Sequence, residues 1–456
     1  MRTGEAAAWR VDSVVPGVAW PGLPELDATA ALALLFQLEQ TQWLSPEALL
    51  ERQQHQLGLL LRHARDTVPF YRERWKPLAP FSAEPALAAL KDLPLLTRAD
   101  LQSGYDSLHS DSVPREHGAQ WESRTSGSTG FPVKVKKTAL TALFWRAFAL
   151  RDHAWHRRDL SGKLAAIRQG VSDGIEDNWG RATRGLARTG PVALMRIGAD
   201  PARQLAWLRE QQPDYLLTYP SNLAELAREA MREGSALPGL RELRTFGEAL
   251  SDEQRALCRE AWDLPVTDMY SADEVGYIAL QCPDHDHYHV QSEGVLVEVL
   301  RDDGSECAPG ETGRVVVTAL HNFATPLVRY DIGDRAEAGP PCACGRGLPV
   351  LSRILGRVRN MLLTPSGERI WPTLSSRSIA AIAPFRQYQL AQVSRTGIEL
   401  RLVVDARLDE ATEQRLRAHL LSRLPAGLAL RIAYVDALPR SVGGKFEDFV
   451  SELPAA

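Results

Sequence analysis

At 456 residues the chain is longer than one hydrophobic core supports, and roughly two to four domains are expected. Hydrophobic residues make up 44% and charged residues 24%, an ordinary globular balance, and a net charge of −4 gives no electrostatic reason to expect nucleic acid as a partner. The longest apolar run, 28–38, is too short to span a bilayer, and no basic segment followed by an apolar stretch and a cleavage site opens the chain. A cytoplasmic protein with no membrane partner is expected. The five cysteines are odd in number and three lie in one region, which argues against a disulfide framework.

The first ~120 residues read as mostly helical. A helix is expected after Ser45, a cap followed by Glu47, with leucines at helical spacing until Pro69 stops it. Thr97 is expected to cap another helix before Asp100. The stretch "SRTSGSTGFPVKVKK", 123–137, looks like neither a core strand nor a packed helix. Gly127 and Gly130 let the backbone turn tightly, so that successive N–H groups form a nest for an anion. Thr125, Ser126, Ser128 and Thr129 add hydroxyl donors, and Lys134, Lys136 and Lys137 add positive charge. A polyphosphate suits this loop; a solvated Ser/Gly linker is the alternative. No Gly-Lys-Ser/Thr follows, so it is not a Walker loop. Residues 138–158 then read as a helix whose positive end, coming directly after the loop, would face the anion.

Residues ~160–270 alternate short apolar runs with helical segments, the signature of parallel strands in an α/β layer. From Val290 to Arg335 the period changes to two, with "DDG" and "PGETG" turns between, which predicts antiparallel sheet. The last ~95 residues read as a small α+β unit of three strands and one helix. The fold class is therefore α/β: a large N-terminal multi-layer part with parallel and antiparallel sheets, plus a small α+β C-terminal domain.

Later segments arrive in an informative order. After "TSGSTGFP" come "FGEAL" (246–250), "YSADE" (270–274), "VRYDIGD" (328–334), "LGR" (355–357) and "LPRSVGGK" (438–445). The series resembles the adenylate-forming superfamily of acyl- and aryl-CoA synthetases. "VPFYRERW", "LPLLTRADL", "TPLVRYDIGD" and "CACGRGLP" are similar in particular to the phenylacetate–CoA ligase branch, which includes capsule-biosynthesis-associated and deazaflavin-coenzyme synthetase-like members. The resemblance covers residues ~60–450.

The resemblance implies that an acid is adenylated by ATP and then passed to an acceptor. Thr125, Ser126, Gly127, Ser128, Thr129 and Gly130 would hold the β- and γ-phosphates, with Thr129 counted among the catalytic groups. Glu274 would hold Mg²⁺, a hard cation that prefers carboxylate oxygen. Gly247, Glu248 and Ala249, with Tyr270, would border the adenine. Asp334 would accept both ribose hydroxyls. Arg357 would lie near ribose and phosphate. Lys445 would reach from the small domain to the carboxylate and α-phosphate. The implied division is a large ATP- and acid-binding domain over 1–355, a hinge over 356–360 and a small mobile domain over 361–456.

Two positions depart from the family pattern. Asp273 stands where Thr or Ser usually precedes the metal-binding Glu; it could add a metal contact or repel phosphate. The hinge reads "GRVRNML", with Arg359 and Asn360 where an aspartate is frequent. Asn tolerates unusual φ values, so a hinge remains compatible.

Cys282, Cys342 and Cys344, with the histidines of "CPDHDHYHV", suggest a tetrahedral Zn²⁺. His285 gives the short Cys-x-x-His spacing, whereas His289 falls where the related branch has a His; His289 is the favoured fourth ligand. Four protein ligands make a zinc structural rather than catalytic. Reduced cysteines beside solvated histidines are the bland alternative, and Cys258 and Cys307 read as packing residues.

The function expected is that of an ATP-dependent acid–thiol ligase that adenylates an organic acid, aromatic or otherwise apolar, and passes it to CoA. Transfer to an amine or a carrier protein, or nucleotide binding without turnover, are the alternatives. The protein is expected to be a monomer or homodimer.

Overall fold

The computed structural model describes residues 9–78, 86–124, 133–357, 361–370, 376–441 and 444–453. Among these, twelve strands form one mixed sheet and four form a second. The parallel and antiparallel regions expected from the change of hydrophobic period are two halves of the same large sheet. Strands Val192–Arg196, Leu164–Arg168, Tyr215–Thr218, Glu242–Phe246 and Val266–Ala272 run parallel side by side. Gly276–Gln281 then turns back antiparallel on Val266–Ala272. Beyond it lie Tyr288–Val290, Val350–Arg357, Tyr330–Ala338, Thr312–Ala319 and Val295–Leu300, all antiparallel.

The parallel half is buried by crossover helices, as such strands are, and carries both apolar residues and the paired charges of Glu242 and Arg244. Helices Pro201–Gln211, Pro220–Glu233 and Asp252–Trp262 contribute Leu205, Leu208, Leu223, Leu226 and Cys258 to its core. The antiparallel half packs against the N-terminal helices through Leu57, Leu60, Leu61 and Tyr71.

Local signals in the N-terminal region behave as expected. Ser45 caps helix Pro46–Thr67, its Oγ accepting from the Ala48 N–H at 3.3 Å. Pro69 not only ends that helix but opens a new one, Pro69–Arg74, at a position where its missing N–H costs nothing. Thr97 and Asp100 form a reciprocal capping box on Arg98–Ser103.

The stretch 123–137 needs a correction. Its ends are strand: Gln120–Arg124 pairs antiparallel with Lys134–Thr138. Val135 and Thr138 are buried while Lys134, Lys136 and Lys137 are partly exposed, so the lysine content obscured a strand with a buried side. Helix Ala139–Trp155 therefore follows a strand, not the loop, with Thr138 as its cap. Residues 125–130, the expected phosphate loop, lie outside the described residues.

A buried charge network ties this helix region to the parallel strands. Arg158 is fully buried and donates to Glu242 at 2.7 and 2.8 Å and to Asp152 at 2.5 Å, while Arg244 donates to Asp152 at 2.8 Å.

The second sheet is ordered Ala429–Tyr434, Gly397–Val403, Gln387–Gln392, Phe449–Ser451. It has one strand more than the three expected: Phe449–Ser451 joins parallel to Gln387–Gln392. Helix Glu410–Leu421 covers the sheet through Leu416 and Leu420. No described helix is long and apolar enough to cross a membrane.

Candidate active site

A cleft of 450 Å³ opens at the carboxyl ends of the parallel strands, where open α/β sheets bind ligands. Residues that follow the ends of strands Leu164–Arg168, Tyr215–Thr218 and Glu242–Phe246 reach it: Gln169, Tyr219 and Gly247. The antiparallel half supplies Asp334 and Arg357, and the second sheet's loop supplies Lys445. Gly247, Glu248, Ala249, Tyr270, Glu274, Asp334, Arg357 and Lys445, expected from scattered motifs, all line this one space.

Asp334 and Arg357 are direct cross-strand partners, with Arg357 Nε 3.6 Å from Asp334 Oδ1. Tyr270 donates its hydroxyl to Asp334 Oδ2 at 2.8 Å. Burial, then the neighbouring carboxylate, raises the Tyr270 phenol well above its ordinary range, so it is a fixed donor. An ionised carboxylate has about four acceptor positions, which leaves Asp334 capacity for a diol. Glu274 is 3% exposed and accepts a hydrogen bond from Tyr330 Oη at 3.1 Å. A buried carboxylate suits a hard divalent cation. Asp273, beside it, is exposed. Burial pulls Lys137 below its usual range while Asp273 and Glu274 push it back up, so the ammonium lies in the field of both.

Gly247 has φ +79, a left-handed conformation that favours glycine, and a Cβ there would meet Lys445 Cε at 3.4 Å. Gly444 has φ +78 and lies so close to Gln169 and Ile197 that a Cβ would stand 3.0 and 3.1 Å from them. These two glycines let the Lys445 loop seat directly on the strand ends.

Glu248 does not use its carboxylate as a free adenine-facing group. Oε2 accepts the Ser221 N–H at 2.9 Å, and Oε1 accepts the Ser221 hydroxyl at 3.1 Å and the Phe446 N–H at 2.7 Å. Burial raises its pKa to about 7 against the pull of those donors.

The cysteine cluster lies elsewhere on the sheet. Ligand atoms of Cys282, His289, Cys342 and Cys344 all fall within 4.8 Å of one another. Zn–S bonds of about 2.3 Å and Zn–N bonds of about 2.05 Å in a tetrahedron give S–S edges of about 3.8 Å and S–N edges of about 3.6 Å. The observed Cys282–Cys342 separation is 3.9 Å and Cys344 Sγ–His289 Nε2 is 3.4 Å. Burial lowers His289 to about 3, which keeps its imidazole neutral as a ligand requires. A second set, Cys282, His285, His287 and Cys342, is equally close, with His285 Nδ1 at 3.5 Å from both sulfurs. His289 is fully buried whereas His285 is exposed, so the first set matches a closed structural site.

Over 388 residues, 80% of this chain and 82% of the other, the sequence is 28% identical to a phenylacetate–coenzyme A ligase of Pseudomonas putida. The similarity is to phenylacetate–CoA ligases. The Escherichia coli K12 phenylacetate–coenzyme A ligase is 25% identical over 429 residues, covering 89% of this chain and 96% of its own. Among solved structures, 2-hydroxyisobutyryl-CoA ligase in the postadenylation state with 2-HIB-AMP superposes with a TM-score of 0.68 at 20% identity, over 89% of each chain. The chain thus has the fold of adenylate-forming CoA ligases. No protein-family model matches it.

Some cleft residues escaped the motif reading of this phenylacetate–CoA ligase-like chain. Arg98 lines the cleft from the capped helix Arg98–Ser103, and Gln169 from the end of a strand. "TRADL" was legible as a cap, and nothing local marks its arginine as facing a ligand. Asp268 and Asp448 also line it, both raised by burial to about 6. Asp268 is taken up by Thr245 and Tyr288 hydroxyls at 2.7 and 2.8 Å.

Proposed function

We propose that the protein is an ATP-dependent acid–thiol ligase that adenylates an aromatic or otherwise apolar carboxylic acid and transfers the acyl group to CoA. The observation that carries this reading is the single cleft shared by Tyr270, Glu274, Asp334, Arg357 and Lys445, contributed by both sheets. In the first step a carboxylate oxygen attacks the α-phosphorus and the bond to the β-phosphate bridging oxygen breaks, releasing pyrophosphate. In the second, the CoA sulfur attacks the acyl carbonyl, loses its proton and expels AMP.

In this reading Asp334, held by Tyr270, binds the ribose hydroxyls. Arg357 and Lys445 offset negative charge that grows on phosphate oxygens, the kind of preorganised electrostatics that lowers such barriers. Glu274 would hold Mg²⁺, whose charge would offset that of the phosphates. Thr125–Gly130 would bind the leaving pyrophosphate. The lysine's residence on a loop of the second sheet fits a small domain, 361–456, that moves about a hinge at 356–360 between the steps. Cys282, His289, Cys342 and Cys344 would hold a structural zinc. A cytoplasmic setting belongs to the same reading, in keeping with cysteines that form no disulfide.

The test is pyrophosphate release across a panel of carboxylic acids that includes phenylacetate, followed by thioester formation on adding CoA. Acid-dependent release with thioester product supports the reading. Release without CoA consumption redirects the acceptor to an amine or carrier protein, and no release with any acid refutes turnover.

A further inference from the structure

We infer that Glu248 is a positioning residue for Lys445, pinning its loop into the cleft for the adenylation step; this rests on the ligase reading above. Three observations converge. The Phe446 N–H, adjacent to Lys445, donates to Glu248 Oε1 at 2.7 Å across 198 residues of sequence. Glu248 is itself immobilised at the start of helix Pro220–Glu233, where Ser221 donates to it through N–H and hydroxyl at 2.9 and 3.1 Å. Gly247, one residue earlier, is the surface on which the Lys445 stem rests. Residues 247–248 therefore face 445–446 side by side, one supporting the side chain and one holding the backbone.

The surrounding contacts reinforce this arrangement without replacing it. Arg440 donates to Ser221 Oγ at 3.0 Å and to Glu225 Oε2 at 2.9 Å, tying the same loop to the same helix start. Only a carboxylate accepts from two backbone N–H groups with both of its oxygens; an amide would turn its NH₂ toward one of them. The helix's N-cap residue, Tyr219, makes no side-chain cap bond, so Glu248 also stands in for a cap. A cap alone would contribute to stability and nothing else. The Phe446 bond instead links the two sheets, and it is made with Lys445 in the cleft.

The experiment compares wild type with Glu248→Ala, Glu248→Gln, Lys445→Ala and Glu248→Ala/Lys445→Ala. Phenylacetate is the probe acid and phenylacetyl-AMP the presupplied adenylate. Glu248→Ala is expected to lower kcat for pyrophosphate release about 10- to 50-fold with KM for ATP within about threefold, the split of an interaction used in the transition state. Consumption of phenylacetyl-AMP with CoA is expected to stay within about threefold, because that step does not use Lys445. Glu248→Gln should fall between. The double variant should be no slower than Lys445→Ala by more than about twofold, since residues acting through one another are non-additive. Equal losses in both steps, or losses that multiply in the double variant, would overturn the inference and leave only a helix cap. If wild type turns over no acid, the ligase reading fails by itself. Amide hydrogen exchange over the Phe446 peptide then decides: faster exchange in Glu248→Ala than in wild type supports the pin, and unchanged exchange overturns it.

Discussion

The cysteine cluster can be tested without knowing the substrate. Cys342→Ser combined with Cys344→Ser removes two of the four donors that lie within 4.8 Å of one another. The segment carrying them is also anchored by protein contacts: Gly347 N–H donates to Gln42 O at 2.9 Å, Arg346 Nε donates to Gln42 Oε1 at 2.9 Å, and the Arg346 guanidinium stacks over Trp43 and Trp155. The strands beside the cluster are joined by their own ladders, so the loss expected is that of a bound ligand and not of a whole fold. A site occupied at about a thousandfold above its Kd contributes about 4 kcal/mol. Domains of 150–250 residues lose about 2–4 °C per kcal/mol, and a longer chain somewhat less, so the first melting transition should fall by about 4–10 °C. Wild-type protein purified without chelators should carry about one zinc per chain by elemental analysis, as a four-ligand structural site requires. Prolonged chelation should reproduce the melting loss in wild type and leave the double variant unaffected. His289→Ala should lose the metal while His285→Ala keeps it. A metal-free wild type whose melting is unchanged by the double substitution would refute the site.

Lys445→Ala should slow acid-dependent pyrophosphate release by about 10²-fold or more, the scale of one electrostatic stabiliser, and leave consumption of presupplied acyl-AMP much less affected; equal losses would refute its role. Tyr270→Phe removes the 2.8 Å hydrogen bond to Asp334 and should weaken AMP binding by about 1.5–3 kcal/mol in calorimetry, as for a bond to a charged group. Arg158→Met leaves Asp152 and Glu242 buried without their shared partner and should cost about 3–5 kcal/mol in denaturant unfolding; a loss under about 1 kcal/mol would mean the network is dispensable.

What could be read in the sequence was whatever is local. The Thr97/Asp100 cap and the Ser45 cap need only a few consecutive residues, and both formed as expected. The change of hydrophobic period at Val290 separated a parallel from an antiparallel region, although antiparallel pairing already begins at Gly276–Gln281. It could not reveal that Val266–Ala272 and Gly276–Gln281 hydrogen-bond and so fuse the halves into one sheet. Strand Lys134–Thr138 was hidden because four of its five side chains are polar and only Val135 marks its inner face. Phe449–Ser451 was hidden because three residues carry no period, and its partner begins about sixty residues earlier. At the site, motifs named Gly247, Tyr270, Glu274, Asp334, Arg357 and Lys445 one by one. Their convergence, and the turning of Glu248 toward Phe446 instead of the open cleft, are long-range contacts that no window of sequence contains.

Asp273 shows how exposure decides between two roles that the sequence left open. It sits next to Glu274 at the cleft, where a second carboxylate could either bind metal or repel phosphate. Glu274 is 3% exposed, and its charge acts in a poorly screened environment. Asp273 is exposed, so water and salt screen it, and Lys137 lies in its field as a counter-charge. A unit charge about 8 Å away interacts by about 0.5 kcal/mol in water and about 2 kcal/mol at an effective dielectric of about 20. Solvent access places Asp273 toward the lower figure. Asp273→Asn should therefore change KM for Mg-ATP by less than about threefold, and the small effect should vanish as salt shortens the Debye length from about 10 Å at 0.1 M to about 3 Å at 1 M. Glu274→Gln, by contrast, should raise the Mg²⁺ concentration needed for half-maximal pyrophosphate release by more than about tenfold, because a hard cation loses its carboxylate ligand. A comparable rise in Asp273→Asn, persisting at high salt, would show that Asp273 is itself a metal ligand and that its exposure does not decide its role.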